Sequence, residues 1–338
     1  MQRFKVKSLQ KLLIHINFLL AFSVLFCSHS AFGQPSVRVD IDSRAIDMGM
    51  GLNVYWADRN VGANGSLDAG TYFAWGEVES KNNYSWNTYI HRKNGLISKY
   101  TYYSGPFTLL AEDDAATHEW GNYWRIPTKQ EFENLKANAN FTIGKYGSTF
   151  DYDIKFVNRN DPTKLILLPC AGYMEDNQHK NSFGTIKEGY GYYWSSTLYT
   201  ILTSLDAYAL SIFPKTIIYS DKVSMEYDRR DYGYPIRPVI DKCSSVNIVA
   251  TYDGQTTTIY SNHSFPIGSL IITEDDDCYD HKCYEVIGDS VRNEVSDSVL
   301  KSNVTYEVVF TKKNTNVKAK TEDNQKGTVG LSIGTDNN

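Results

Sequence analysis

The chain has 338 residues, with 34 Lys and Arg against 39 Asp and Glu and a formal charge of −5. That length suits two domains, one of them large enough for a full core. The acidic balance argues against nucleic acid as a partner, and five cysteines over such a length exclude a disulfide-dense scaffold.

Residues 1–33 read as a secretory signal peptide. Arg3, Lys5, Lys7 and Lys11 make a cationic start, Leu12 to Phe26 is mostly apolar, and Ala31-Phe-Gly33 ends the segment with small residues at a cleavage site. The apolar run is short for a membrane span and carries His15 and Asn17. Cys27 invites lipidation, but Phe26 stands where that signal wants a small residue. Losing the segment removes four cations and no anion, taking the formal charge from −5 to −9. The expected product is exported to the periplasm, cell surface or medium, with no transmembrane segment after cleavage.

Residues 34–45 form an N-terminal strand and linker, Val37 to Ile41 alternating. Residues 46–240 form the large domain. Leu52 to Trp56 is a short strand among glycines, and Phe73-Ala-Trp75-Gly-Glu77 a short extended piece. Residues 80–108 lack a period. Asp113-Asp114 caps a short helix through His118 to Trp120. Thr128-Lys-Gln-Glu131 is a capping box, which puts Phe132 and Leu135 on one face of a second helix. Arg125, just before Ile-Pro, is expected to be flanked by Trp rings and to bond carbonyls or a carboxylate rather than a ligand. Strands follow at Asp153 to Val157, Leu165 to Leu168, Tyr192 to Ser196, Ala207 to Ile212, Ile217 to Tyr219 and Ile236 to Val239. Few helices among many short strands indicate an α+β domain.

Composition changes after Lys242, where aromatics thin out and Thr, Ser, Val and Asp take over. Alternation at Val246 to Tyr252, Thr256 to Ser261, Ser269 to Thr273, Cys283 to Ile287 and Thr305 to Thr311 predicts a small all-β module over 241–313, Ig-like or B-repeat-like. Residues 314–338 are a polar tail, or the start of a truncated repeat with a strand at Thr328 to Ile333. Cys278 and Cys283 enclose four residues and form a possible local disulfide. Cys170 reads as a buried thiol, and a Cys170–Cys243 bridge is not indicated.

The ordered pieces IDMGMGLNVYWADRNVGA, TYFAWGE, EDDAATHEWGNYWRIPTKQEF, LPCAGY, YYWSS and IRPV span residues 46–239. In order and spacing they resemble the Fibrobacter succinogenes major paralogous domain, a family of secreted proteins in Bacteroides-like bacteria. That family looks like the C-type-lectin-like fold and is related to formylglycine-generating (sulfatase-modifying) enzymes. The resemblance implies a loop-rich head whose function lies in its loops. The second module resembles secreted B-repeat strands.

Copper-dependent formylglycine chemistry needs paired thiolates, and the head has Cys170 alone. Calcium-dependent lectins use Glu-Pro-Asn or Gln-Pro-Asp triplets, which do not occur. Asp176 with Asn177, and Asp228 with Asp231, read as solvated loops, and Glu274 to Asp277 as a solvated acidic hairpin. Ser195 and Ser196 lack a nucleophile frame, and His118 sits on a helix where a packed or surface histidine is the default. No metal site, cofactor or catalytic set is therefore expected. Asp289-Ser-Val and Asp297-Ser-Val fit a short O-glycosylation pattern.

Aromatics make up 14% of the chain, with 25 Tyr and 6 Trp, which suits sugar or protein recognition. The expected function is non-enzymatic recognition or adhesion at the cell surface, the partner being a glycan or a surface protein. The alternatives are a divergent metal-dependent enzyme of the formylglycine-generating fold and a structural surface component. The expected ligand faces are Tyr102, Tyr103, Tyr190, Tyr192, Tyr232 and Tyr234. Trp56, Trp75, Trp120, Trp124, Arg125, Thr128, Glu131, Trp194 and Arg237 are assigned to the fold.

Overall fold

The computed structural model describes residues 35–121, 123–181, 189–201, 204–215, 220–274, 279–287, 291–296 and 299–313. The expected leader, the tail, the strands at Ile217–Tyr219 and Thr328–Ile333, the acidic residues 275–277, Cys278, Ser290 and Ser298 lie outside them. The chain divides into two compact units. The larger comprises Ile41–Ser244 and Ser264–Ser269, and the smaller takes residues up to Asp40, Ser245–His263 and those from Leu270 on.

The larger unit is α+β, with short helices and many short strands. Helix α1, Ala115–Trp120, is capped by Asp114, whose carboxylate accepts from the amides of Ala116 and Thr117. The same side chain accepts from Ile126 N at 2.8 Å, which fixes the Trp-Arg-Ile-Pro segment against the helix start. Helix α2, Lys129–Asn138, starts on the capping box. Thr128 Oγ1 accepts from Glu131 N at 3.2 Å, and Glu131 Oε2 accepts from Thr128 N at 2.7 Å. Its Phe132 and Leu135 are buried, and Phe132 meets the Trp56 ring at 5.1 Å.

The central sheet joins Gly191–Leu198, Asp206–Phe213 and Lys222–Arg229 antiparallel, in that order. Both its faces are covered. Tyr193, Leu210 and Ile212 enter a core with Trp56, Phe132, Ile154 and Leu168. The alternate residues Tyr192, Trp194, Ala207 and Ala209 enter a second core with Phe73, Trp75, Tyr100 and Tyr234. Side chains alternate across a strand, so two covered faces make its sequence apolar throughout. Each fully buried large side chain contributes about 1.5–3 kcal/mol.

Most polar groups carried inward find partners, the Trp56 indole N–H and Asp153 Oδ1 being exceptions among the described residues. Arg237, fully buried, donates to Asn60 Oδ1 at 2.8 Å and to the carbonyls of Ala57, Ser66 and Leu167 at 3.2, 3.3 and 2.8 Å. Burial pulls its guanidinium down to about 10. The indole N–H groups of Trp75, Trp194 and Trp124 donate to Ser195 O, Phe73 O and Asp42 Oδ2. Arg125 holds Glu131 through two bonds, at 2.9 and 2.6 Å, and reaches Asp241 at 2.5 Å. The Trp120 and Trp124 rings expected beside Arg125 take Arg44 instead, at 4.2 and 5.4 Å.

Three departures from the sequence reading have local causes. Residues 73–77 form no strand, because Gly76 has φ +77° and turns the chain. The strand expected from Ile236 begins at Val239, after Pro238, which has no amide hydrogen to give a ladder. Lys222–Arg229 is missed because it is an edge strand with charged residues along it, as edge strands need.

In the smaller unit, Ser36–Asp40 pairs antiparallel with Leu270–Glu274. Residues 247–252 of the Val239–Tyr252 strand pair parallel with Thr305–Phe310. Tyr279–Ile287 and Val291–Val295 extend that sheet. Ile248, Ala250, Tyr306 and Val308 are buried, and Tyr252 stacks on Phe310 at 4.8 Å.

Candidate functional site

A single backbone bridge assembles a cluster of half-exposed rings and charges in the larger unit. Tyr173–Glu175 pairs with Gln178–Lys180 in a tight hairpin. Its Met174 exchanges two hydrogen bonds with Gly233, at 2.8 and 2.9 Å. Tyr173 is thereby set beside Tyr232 and Tyr234. Only glycine fits between those tyrosines, since a Cβ on Gly233 would lie 2.5 Å from the Tyr84 ring. Tyr234 in turn exchanges bonds with Phe73, both at 3.0 Å.

The rings form a wall. At its base Trp194 and Tyr234 stack at 4.2 Å and 22°, and Tyr192 stacks on Tyr234 at 5.1 Å. Tyr173 meets Tyr192, Tyr232 and Tyr234 at 5.4, 5.2 and 5.9 Å. Phe213 meets Tyr190 at 5.4 Å. Tyr173, Tyr232 and Phe213 are half-buried and form the accessible rim.

Charges border this rim. Arg229 donates to Asp231 at 3.1 and 2.7 Å, and Asp231 is fully buried. The Arg229 guanidinium lies 4.6 Å from the Tyr232 ring centroid and 5.7 Å from that of Trp86. Burial works against its charge, but Asp231 outweighs that and raises it, so the guanidinium stays charged. Glu175 Oε1 accepts from the Tyr232 hydroxyl at 3.0 Å. Asp228 accepts from the Tyr234 hydroxyl at 2.6 Å and from Arg229 N at 3.0 Å. Burial pushes the Asp228 carboxyl up, against the pull of those two donors. Burial also raises the Tyr232 and Tyr234 hydroxyls, which remain donors across the neutral range.

Of the six tyrosines expected at a ligand, the structure brings four to this place. Tyr190, Tyr192 and Tyr234 are 7%, 9% and 0% exposed and supply its floor rather than a free face. Their burial follows from the two-sided covering of the sheet. Tyr232 is on the rim. Tyr102 and Tyr103, 47% and 92% exposed, lie elsewhere, edge to face at 5.1 Å. Tyr102 N donates to Ser204 Oγ at 2.7 Å, bringing the exposed Leu205 and Ile201 to the same loop pair.

Sequence reasoning missed Tyr173, Glu175, Arg229 and Trp86. Asp228 and Asp231, expected as solvated loop residues, are a buried-side acceptor and a fully buried ion-pair partner. The charge run Asp228-Arg-Arg-Asp231 directly before Tyr232 was the available signal. Its Arg230 is fully buried too, donating to Tyr89 Oη and to three carbonyls over the Trp75 ring.

No protein-family model, curated protein or solved structure matches this chain. Among the described residues no group of three or more His, Cys, Asp and Glu converges to hold a metal ion. Cys170 is a free thiol with no exposure, and burial pushes it far above its ordinary range. Ser195 Oγ donates to Tyr208 O, and the exposed His118 faces Glu119. No helix among the described residues is long and apolar enough to cross a membrane.

Proposed function

We propose that this chain is a secreted or cell-surface recognition protein that binds glycan through the Tyr173–Tyr232 rim and carries out no reaction there. The single observation behind this reading is a continuous wall of rings, buried at Trp194, Tyr192 and Tyr234 and half-exposed at Tyr173 and Tyr232, with carboxylates along its edge. Tyrosine faces pack on the C–H face of a sugar ring, and bordering carboxylates accept from its hydroxyls. The buried stack holds the rim rings in place, so little side-chain entropy is lost on binding. The α+β unit with short helices and long irregular segments supports a C-type-lectin-like head of the Fibrobacter succinogenes major paralogous type, and the signal-like start supports export.

The exposed Tyr102–Tyr103 pair favours a second reading, an anchor for a surface protein. A glycan array probed with the exported chain and with Tyr232→Ala separates them. Glycan binding that Tyr232→Ala weakens several-fold is the expected result. Glycan binding unchanged in Tyr232→Ala, or absent altogether, overturns the rim as the site.

A further inference from the structure

Two guanidiniums share one indole beside the rim, and only one of them has a carboxylate. Trp86, half-buried, has Arg229 and Arg92 each 5.7 Å from its ring centroid. Arg229 is spent, paired with Asp231 at 2.7 Å and with Glu175 at 3.9 Å. Arg92 is not. It lies on a short hairpin, Arg92–Lys93 against Leu96–Ile97, whose turn residues Asn94 and Gly95 have φ +51° and +79°. Its Nε donates to Gly95 O at 3.3 Å, and among the described residues no carboxylate pairs with it and no acceptor takes its Nη groups. The indole and that carbonyl hold the half-buried side chain in place with its fork open.

The acids bonded into the wall are engaged. Glu175 takes the Tyr232 hydroxyl and Arg229, Asp228 the Tyr234 hydroxyl and Arg229 N, Asp231 takes Arg229, and Glu226 takes Lys222. The exposed carboxylates of Glu79 and Asp176 pair with no described cation. Contacts run on from Arg92 and Trp86 through Arg229 and Tyr232 to Tyr173, at 5.7, 4.6 and 5.2 Å after the first. Lys180 stands opposite Tyr173 in its hairpin, donates to Gln178 Oε1 at 2.5 Å, and likewise pairs with no carboxylate among the described residues. A row of rings is thus ended on both sides by a cation that no carboxylate answers. The two guanidiniums on Trp86 repel each other, and an anion on Arg92 relieves that repulsion.

We infer that the ligand of this rim is an acidic glycan, a uronic-acid oligosaccharide that packs on Tyr173 and Tyr232 and gives a carboxylate to the two Nη groups of Arg92. This rests on the glycan reading above and narrows it. A planar carboxylate meets a guanidinium fork through two parallel bonds, which a neutral sugar or an ester cannot reproduce.

Calorimetric titration of the full chain with three probes tests it: the trimer of galacturonate, the same trimer as its methyl ester, and triglutamate as a charge-only probe. The galacturonate trimer is expected to bind about tenfold tighter than its ester. Triglutamate binds more weakly than the galacturonate trimer. Arg92→Gln binds acid and ester equally, its retained ester binding showing that the variant has folded, and Tyr232→Ala weakens both several-fold. An ester that binds the parent as tightly as the acid overturns the acidic class, and so does an acid preference that survives Arg92→Gln. Triglutamate binding as tightly as the galacturonate trimer also overturns it, because the sugar rings then contribute nothing. If neither trimer binds while another sugar on the array does so in a Tyr232-dependent way, the acidic class alone fails. If no sugar binds at all, the glycan reading fails with it.

Discussion

The Tyr234 hydroxyl donates to Asp228 at 2.6 Å from within a ring stack that has no exposure of its own. A buried carboxylate that loses a donor keeps its desolvation cost, so Tyr234→Phe is expected to cost about 2 kcal/mol in urea unfolding. Combining it with Asp228→Asn should give less than the sum of the two single losses, because they share one bond. Full additivity would show that the bond contributes nothing.

Acid should weaken the larger unit at Asp42. Burial opposes its charge, but Arg44 and the Trp124 indole hold the carboxyl down at about 2, against 3.8 for a free side chain. A lowered carboxyl pKa means that the unfolded chain takes up the proton first. Its contribution of about 2 kcal/mol is therefore complete above pH 3.8 and lost as pH falls toward 2. Asp42→Asn should remove that part of the acid dependence, read as the slope of unfolding free energy against pH.

Gly233→Ala puts a methyl 2.5 Å from the Tyr84 ring and forces the Met174–Gly233 bridge apart. The expected loss is about 1–3 kcal/mol of stability. Glycan affinity should fall with it, since the bridge sets Tyr173 against Tyr232. Thermal unfolding and the array together check both halves.

Arg237 meets four acceptors in a closed cage. Arg237→Lys cannot reproduce the fork and leaves carbonyls unpaired, at a cost of about 3 kcal/mol or more. A lysine variant as stable as the parent would remove the arginine from the fold's essential contacts.

Tyr232→Ala and Tyr173→Ala should each weaken glycan binding several-fold, in line with about 1 kcal/mol for an aromatic contact. Tyr103→Ser, at a residue 92% exposed, should change stability by no more than about 0.5 kcal/mol and leave glycan affinity as it was. Equilibrium titration of the three variants against one array ligand decides the matter.

Much of the fold was legible because it is written locally. Thr128 and Glu131 are three residues apart, so a capping box can be read from four letters, and the helix stands where it is expected. The strands at Asp153–Asn158, Leu165–Pro169 and Asp206–Phe213 carry their apolar residues in the open. Lys222–Arg229 does not, because its charged side chains lie along an edge and conceal the period. The candidate site was legible only as a surplus of tyrosine. Tyr192 and Tyr232 look alike in sequence, yet one sits beneath a covered sheet and the other on a rim.

The sequence by itself determined the α+β character, the caps of the helices at Asp114 and Thr128, and the acidic balance. Those properties depend on neighbours a few residues away, where composition and spacing act directly. Only the tertiary structure decided which tyrosines are floor and which are face, and that Glu175 meets Tyr232 across 57 positions of chain. The pairing of Met174 with Gly233 made that choice, and a contact between distant segments leaves no period or spacing in the chain to be read.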